Sequence, residues 1–253
     1  MSYLNAKPIK WEPYKKEEVI VNINIRKGKK HFEREWYIDK AHVVPRGNAY
    51  IIGNGPSRKG FNLNKLPATG QTYGCNAIYR DFVPDFIFSV DMKMTLEMYE
   101  EEVYKKCIHY APGLEVNRYP TKRCGLNNSD LHLIPNNPHW ISGGVAMWTA
   151  TVHGHKDLYF LGFDFREYGK EKLNNIYQDS KNYGPRTNDT IFEAWLTQFR
   201  SLQIMRPNCS FTVVHDDPPD YLQVCNPAFE DGSGRFKIIT YKEFNDTVVN
   251  QAS

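Results

Sequence analysis

Glycine, amide and hydroxyl residues follow directly on an apolar run in the stretch YIIGNGPS, where Gly53-Asn54-Gly55-Pro56-Ser57 ends the run. A strand that only builds a core can end in any polar turn, but two glycines permit positive φ and let the backbone approach a ligand. Backbone N–H groups in such a turn can point at an anion, as they do in nests and at helix N-termini. We therefore expect an anion-binding turn at this position, with an ordinary structural turn as the alternative.

A second candidate turn is Ser142-Gly143-Gly144, which opens a helical pattern directly. Two anion-binding turns suit a nucleotide or a nucleotide-linked substrate. Asn54 and Asn76 add neutral amides, which can bind a base or hydroxyl groups without requiring charge. The first turn is neither the G-x-G-x-x-G dinucleotide fingerprint nor the G-K-[ST] phosphate loop, so the nucleotide class stays open at this point.

Ionisable residues follow three other apolar runs. Asp91 either holds a metal or a sugar hydroxyl or caps the next helix, and Asp164 has the same alternatives. His215 follows FTVV and precedes two acids, so it is a candidate base near neutral pH, with a buried structural histidine as the alternative. His153 and His155 lie two residues apart around a helix end, where they would face different ways, and we predict no metal site from them.

The elements that must position these residues are short apolar runs alternating with helical patterns. The runs NAYIIGN, QTYGCN, PDFIFSVD, DLYFLGFDF and CSFTVVHDD are nearly continuous, which is typical of strands covered on both faces. Helical patterns lie in MTLEMYEEEVYKK, GGVAMWTATVHGH and TIFEAWLTQFRSLQIM, and RFKIIT fits an edge strand. This alternation predicts an α/β fold with a Rossmann-like, open, mostly parallel sheet flanked by helices. In such sheets ligands bind at the carboxyl ends of the strands, where all the residues above are placed.

The domain prediction has two parts. Residues 1–46 form an N-terminal β extension, because EVIVNINIRKGKKHFEREWYI alternates apolar and polar residues around a Lys-Gly-Lys turn, as a β-hairpin does. We expect this hairpin to pair with, or pack on, the main domain. Residues 47–253 form the nucleotide-binding or nucleotide-sugar-binding domain. Within it, residues 170–189 form a long, polar and poorly patterned segment, which is typical of a lid, a binding loop or a disordered segment.

Composition limits the class of protein. The 253 residues carry a net charge of +3, which does not require nucleic acid or a membrane as partner. The five cysteines include no C-x-x-C pair, which argues against a structural zinc site and for a reduced, cytoplasmic protein. The start of the chain lacks the apolar stretch of a signal peptide, and no run is long and apolar enough to predict a membrane span.

The motifs resemble those of known enzymes. IIGNGPSRKGFNL, TYGCNAIY and WISGGVAMWTATVHGHKDLYFLGFDF resemble segments of the family 42 glycosyltransferases, bacterial sialyltransferases that use CMP-activated sugars. PDFIFSVD resembles the related motility-accessory group and the archaeal hydroxymethylpterin diphosphokinases. The resemblance covers roughly residues 48–165, is loose over residues 166–215, and does not extend to the first 46 residues.

The resemblance implies site residues by position. Carried over by position, Asn54, Ser57 and Asn76 would contact the nucleotide, and Ser142, Gly143 and Gly144 the phosphate or ribose. Gly53, Gly55, Pro56 and Asp91, at the ends of the predicted strands, complete the nucleotide-binding candidates. The sialyltransferases place a catalytic histidine in the loop after the Gly-x-Asp-Phe strand, but here that loop reads YQDSKNYGPRTND and holds no histidine. Asp164, Asp179 and His215 are therefore the candidates for the base, and Tyr177 and Tyr183 are candidates for hydrogen bonding to the leaving phosphate.

The function implied by the resemblance is a glycosyltransferase of bacterial or phage origin that uses a nucleotide-activated sugar, with a CMP-sugar favoured. The reaction would be a direct displacement at the anomeric carbon and would need no metal cofactor. One alternative is a diphosphokinase-like phosphotransfer enzyme that uses Mg²⁺ held by Asp91 and Asp164. Another is a non-catalytic nucleotide-binding or carbohydrate-binding protein. The acceptor (glycan, protein, nucleic acid or small metabolite) and the oligomeric state are left open.

Overall fold

The computed structural model describes most of the chain. The described residues are 17–26, 29–37, 43–112, 130–134, 140–165, 175–183, 190–220, 222 and 227–250, with only the backbone taken for 17–26, 29–37 and 190–193. A search of these residues finds no helix that is both long and apolar enough to cross a membrane.

The ten strands form two separate sheets. The strands are β1 Glu17–Arg26, β2 Lys29–Tyr37, β3 Asn48–Ile52, β4 Gly70–Cys75, β5 Phe86–Phe88, β6 Ile108–Ala111, β7 His132–Leu133, β8 Asp157–Leu161, β9 Ser210–Val214 and β10 Phe236–Ile239. In the described part of the chain, β1 and β2 pair with each other and not with the main sheet, and they are antiparallel, as the alternating pattern predicted. The packing of this hairpin on the main domain and the division into two domains stay predictions.

The main sheet confirms the predicted α/β fold. Its eight strands lie in the order β10-β9-β8-β3-β4-β5-β6-β7, and every neighbouring pair is parallel. The chain enters at β3, runs outward to β7, and returns to β8 on the other side of β3. The direction of winding therefore reverses between β3 and β8, and the crevice at that switch point is where open α/β sheets bind ligands.

Helices cover both faces of the sheet. The α-helices are α1 Met92–Glu100, α2 Ser142–Val152, α3 Thr190–Met205, α4 Pro227–Glu230 and α5 Tyr241–Phe244. Short 3₁₀ helices span Pro56–Arg58, Leu63–Ala68, Asn76–Arg80 and Val103–Lys105, and a π-helical turn spans Asn245–Val249. The predicted cap of α3 at 188 or 189 lies outside the described residues.

The strand side chains alternate between two hydrophobic cores. Ile51 of β3 faces one core with α2 and α3, where Val145 and Phe199 lie, whereas Tyr50 and Ile52 face the other. Because both faces of the strand are buried, its sequence is a continuous apolar run rather than an alternating one. The same geometry explains why the apolar runs correctly predicted β3, β4, β5, β8 and β9.

His109 on β6 is a fully buried histidine whose tautomer follows from its neighbours. The Thr95 hydroxyl donates to the Asp91 carbonyl (3.0 Å), so the Ser89 hydroxyl donates to Thr95 Oγ1 (2.8 Å) and accepts from His109 Nε2 (2.8 Å). The other ring nitrogen, Nδ1, is buried without a hydrogen-bond partner. Burial, together with the charge of His132, lowers the pKa of His109 to about 3.

His109 should make the fold less stable in acid. The unfolded chain binds a proton at this histidine below about pH 6.5 and the folded chain does not, so stability falls by about 1.4 kcal/mol per pH unit between pH 6.5 and about 3. Urea unfolding at about pH 7 and about pH 5 should show a stability loss in the wild type about 2 kcal/mol larger than in His109→Gln. Burial also lowers the pKa of His155 to about 4. His155 is present in both proteins, so it contributes equally to both stability losses. Equal losses in the two proteins would contradict the assignment.

Candidate functional site

A cavity of about 110 Å³ lies at the carboxyl ends of β3, β4 and β8, at the switch point of the sheet. Three predicted groups of residues meet there: the turn after β3, Asn76 after β4, and the start of α2. The predicted residues that line the cavity are Gly53, Asn54, Gly55, Asn76, Ser142, Gly143, Gly144 and Asp164. The structure therefore brings the three groups together around one cavity, and their role in binding stays a prediction.

The glycines of the first turn serve a different purpose from the one expected. Gly53 N–H donates to the Leu161 carbonyl (2.8 Å) and Gly55 N–H donates to the Gly162 carbonyl (2.9 Å), so neither amide points at an anion. A Cβ at Gly53 would lie 2.5 Å from the Gly162 carbonyl oxygen. The two glycines thus allow the turn to continue the hydrogen bonding between β3 and β8, and the prediction of an anion nest at these amides was wrong.

Neutral amides of the site have unsatisfied oxygens. Asn54 Nδ2 donates to the Cys75 carbonyl (3.1 Å), which fixes the amide and leaves its Oδ1 buried without a partner. Asn76 Oδ1 is likewise buried without a partner, and Asn76 has a φ of 54°. A left-handed asparagine and an unsatisfied buried oxygen both carry a free-energy cost. Both asparagines line the cavity, and the Tyr183 side chain lies close to both of their amides.

The start of α2 presents backbone N–H groups that make no hydrogen bond within the helix. The first hydrogen bond inside the helix runs from Val145 N–H to the Ile141 carbonyl (2.9 Å), so the N–H groups of Ser142, Gly143 and Gly144 have no partner within the helix. All three residues line the cavity, and Ile141 provides no side-chain cap. The helix N-terminus carries about half a positive charge and attracts anions. The second predicted turn therefore has the geometry of an anion site.

Asp164 is the one carboxylate among the described residues that line the cavity. Its side chain is 8% exposed and accepts hydrogen bonds from both the Ser57 hydroxyl and the Ser57 N–H (3.2 Å). These bonds fasten the 53–57 turn to the end of β8. Because the Ser57 hydroxyl donates to a carboxylate and not to a histidine, the group is not arranged to activate serine as a nucleophile.

His215 lies behind Asp164 and does not line the cavity. Its Nδ1 accepts from the Asp217 N–H (3.0 Å), so a neutral ring carries its proton on Nε2, which lies 3.9 Å from Asp164 Oδ1. With both ring nitrogens directed at protein groups, His215 is poorly placed to take a proton from a substrate. The structure instead places it as a support for Asp164, which corrects its assignment as a base.

The two predicted tyrosines have different environments. The Tyr177 hydroxyl donates to Asp81 Oδ2 (2.7 Å) and accepts from Arg58 (3.0 Å), so it is not available to a phosphate, contrary to the prediction. Tyr183 Oη is buried and lies close to the side chains of Asn76 and Asn54 and to the backbone of Ala77. Burial raises the pKa of Tyr183 to about 12, although Asn76 and Asn54 lie close enough to act in the opposite direction. Tyr183 therefore lies against the side-chain amides of Asn54 and Asn76.

The three remaining candidates lie apart from the cavity or have other partners. Asp91 is exposed, and its Oδ1 caps α1 by accepting from Lys93 N–H (2.9 Å). Asp179 is exposed on the turn at 175–183, and Pro56 begins a 3₁₀ turn next to Ser57.

The structure supports no metal assignment in the described part of the chain. The two carboxylates of the magnesium alternative, Asp91 and Asp164, accept hydrogen bonds from protein groups. No group of three or more potential metal ligands was found among the described residues. His153 contacts the hydroxyls of Tyr73 (2.9 Å) and Tyr110 (3.3 Å) in the core. His155 contacts the Gln71 side chain (2.7 Å).

Sequence reasoning missed an aromatic end of the cavity. Phe163, Phe165 and Trp195 line it, together with Gln198 from α3 and Asn175 from the turn at 175–183. Gln198 Oε1 is buried without a partner and lies against Gly144, where a Cβ would collide with it. Trp195 and Gln198 are spaced as an ordinary helix face, so no local signal in the sequence distinguished them from core residues.

Comparison with known proteins shows likeness in fold. The chain aligns with the monofunctional α-2,3-sialyltransferase Cst-I from Campylobacter jejuni at 18% identity and a TM-score of 0.50, covering 76% of this chain and 82% of that one. The sialyltransferase CstII of that organism, in complex with CMP, aligns at 15% identity and a TM-score of 0.47, covering 66% and 81%. An α-2,3-sialyltransferase from Campylobacter jejuni in apo form gives 17% identity and 0.47, covering 72% and 79%. The sequence matches no protein-family model and no curated protein sequence.

Proposed function

We propose that the protein is a glycosyltransferase that takes a sugar from a nucleotide-activated donor, with a CMP-sugar as the favoured donor. The observation that carries the proposal is the N-terminus of α2, which opens onto a cavity that the side-chain amides of Asn54 and Asn76 also line. The helix N-terminus suits a phosphate, and the two amides suit the hydroxyls of a ribose or a sugar. The likeness in fold to Cst-I supports the same reading.

The charge of the site favours a donor with one phosphate. The described lining is uncharged apart from Asp164, because burial keeps the Cys75 thiol protonated by raising its pKa to about 12. The positive end of α2 supplies about half a charge. A phosphodiester that joins CMP to a sugar carries one negative charge, whereas diphosphate-linked sugars carry two and ATP more. The monophosphate donor therefore fits best without a further cation.

The reaction follows from the positions of these groups. The acceptor hydroxyl oxygen bonds to the anomeric carbon as the bond from that carbon to the phosphate oxygen breaks, and the electron pair of that bond leaves with CMP. Asp164, the one carboxylate of the described lining, would take the proton of the acceptor hydroxyl. The N–H groups at the start of α2 stabilise the charge that develops on the leaving phosphate.

A thermal-shift panel of CMP, CDP, UDP, GDP and ATP, each with and without Mg²⁺, tests the proposal. CMP at about 100 times its dissociation constant should stabilise the protein by about 2.7 kcal/mol without Mg²⁺. Release of CMP from a CMP-sugar donor should then be measurable in the presence of candidate acceptors. Stabilisation by ATP alone, and only with Mg²⁺, would instead indicate phosphotransfer. Stabilisation by none of the nucleotides would refute the proposed ligand class.

A further inference from the structure

Residues 175–183 form a turn that is part of the wall of the cavity. Asn175 lines the cavity, and Ile176 N–H donates to the Asn54 carbonyl (2.8 Å). At the other end of the turn, Tyr183 lies against the amides of Asn54 and Asn76. The turn therefore contacts the backbone of Asn54 at one end and the amides of Asn54 and Asn76 at the other.

Glu97 on α1 anchors this turn from below. Its side chain is 3% exposed, and its Oε1 accepts from the Tyr79 hydroxyl (2.6 Å) and from Arg80 (2.5 Å). Its Oε2 accepts from Asn182 Nδ2 (2.6 Å), which belongs to the turn. Arg80 also donates to Ser180 Oγ (2.7 Å), so both members of the ion pair hold the turn directly.

Burying the Glu97–Arg80 ion pair carries a desolvation cost, so a gain in stability alone does not explain its presence. Desolvation would raise the pKa of Glu97, but hydrogen bonds from Tyr79, Arg80 and Asn182 outweigh it and the pKa is lowered, so the carboxylate is charged. A buried ion pair is often no more stabilising than apolar residues of the same size, although it specifies one geometry. The described hydrogen bonds of this pair reach the 175–183 turn, which forms part of the cavity wall.

We infer that Glu97, Arg80 and Asn182 are positioning residues that hold the 175–183 turn, and with it Tyr183, against Asn54 and Asn76 so that the donor site is preformed. The inference rests on the proposed function for its ligand. It concerns groups that do not touch the substrate themselves and act through the wall of the cavity.

Asn182→Asp is the sharpest test, because it keeps the size of the side chain, tolerates the φ of 64°, and replaces the donor to Glu97 with a like charge. Asn182→Gly, which removes the side chain and also tolerates this φ, is the second variant. The matched control is Glu100→Gln, which breaks the exposed contact of Glu100 with Lys181 of the same turn (3.6 Å). Hydrogen exchange is measured without ligand, and CMP affinity by calorimetry.

Both Asn182 variants should accelerate amide exchange over 175–183 by about fivefold or more and weaken CMP binding about tenfold, with little change in the control. In a Tyr183→Phe background, the loss of CMP affinity from Asn182→Asp should shrink to less than about threefold, because the network acts through that tyrosine. A loss that a general weakening of the fold caused would stay the same in both backgrounds.

Unchanged exchange in both Asn182 variants would overturn the inference, whatever the ligand is. Faster exchange with unchanged CMP affinity, in a wild type that binds CMP, would also overturn it. If the wild type binds no nucleotide, the proposed function fails, and faster exchange in the Asn182 variants alone would then support the role of the network in holding the turn.

Discussion

Asp164→Asn should lower the kcat of sugar transfer by about 10²- to 10⁴-fold, which is the range that a positioned general base contributes. The carboxylate is the one described cavity-lining group able to take a proton from the acceptor. Asparagine has a similar size and cannot take that proton. The KM for the donor should change much less than kcat, because the groups that bind the nucleotide remain. Steady-state kinetics with a CMP-sugar donor measure both constants.

The control for this experiment is Ser57→Ala. It removes the hydroxyl that donates to Asp164 but leaves the carboxylate and the Ser57 backbone N–H bond in place. We expect it to lower stability by about 1 kcal/mol and kcat by less than about tenfold. If Asp164→Asn retained more than about a tenth of the activity, or if both variants lost the same amount, Asp164 would be only a structural anchor of the turn.

Gly143→Ala should weaken CMP binding about 10- to 100-fold without lowering the stability of the protein. A Cβ at this position meets no protein atom closer than 3.5 Å, and alanine is a better helix former than glycine. The added methyl group instead occupies the cavity directly in front of the helix N-terminus. Calorimetric titration with CMP and thermal unfolding of the same sample separate the two effects.

Gly53→Ala provides the opposite pattern. Its Cβ would lie 2.5 Å from the Gly162 carbonyl oxygen, a backbone atom that cannot move without distorting β8, so we expect a stability loss of about 1–3 kcal/mol. If Gly143→Ala bound CMP as tightly as the wild type, the phosphate would not bind at the start of α2. A loss of stability in Gly143→Ala would instead mean that the helix end is more tightly packed than its contacts indicate.

The fold was predictable from the sequence where burial on both faces left a continuous apolar run. β6 and β7 were missed because Ile108–Ala111 is short and includes the polar His109, and His132–Leu133 is only two residues long. His109 can be buried there because the Ser89 hydroxyl, directly after the neighbouring strand β5, accepts a hydrogen bond from the Nε2–H of His109. That partner is close in space and not in sequence, and so the pattern gave no indication of it.

The site was predictable at the level of strand ends and not at the level of individual atoms. The rule that parallel strands bind ligands at their carboxyl ends correctly brought Asn54, Asn76 and the start of α2 together. The rule could not show that the backbone N–H groups of Gly53 and Gly55 donate hydrogen bonds to carbonyls at the end of β8. It also could not show that Tyr177 was engaged by Arg58 and Asp81, since those bonds depend on how distant segments pack.

The bonds from Gly53 and Gly55 to β8 have a consequence for how the protein meets its ligand. They extend the ladder of the two central strands into the binding turn, so the turn can open only if the middle of the sheet opens. Such openings have free energies close to that of global unfolding. If the proposed donor binds this turn in the conformation shown, that conformation is already the ground state, and the affinity for the donor would not be reduced by a population of closed or disordered forms.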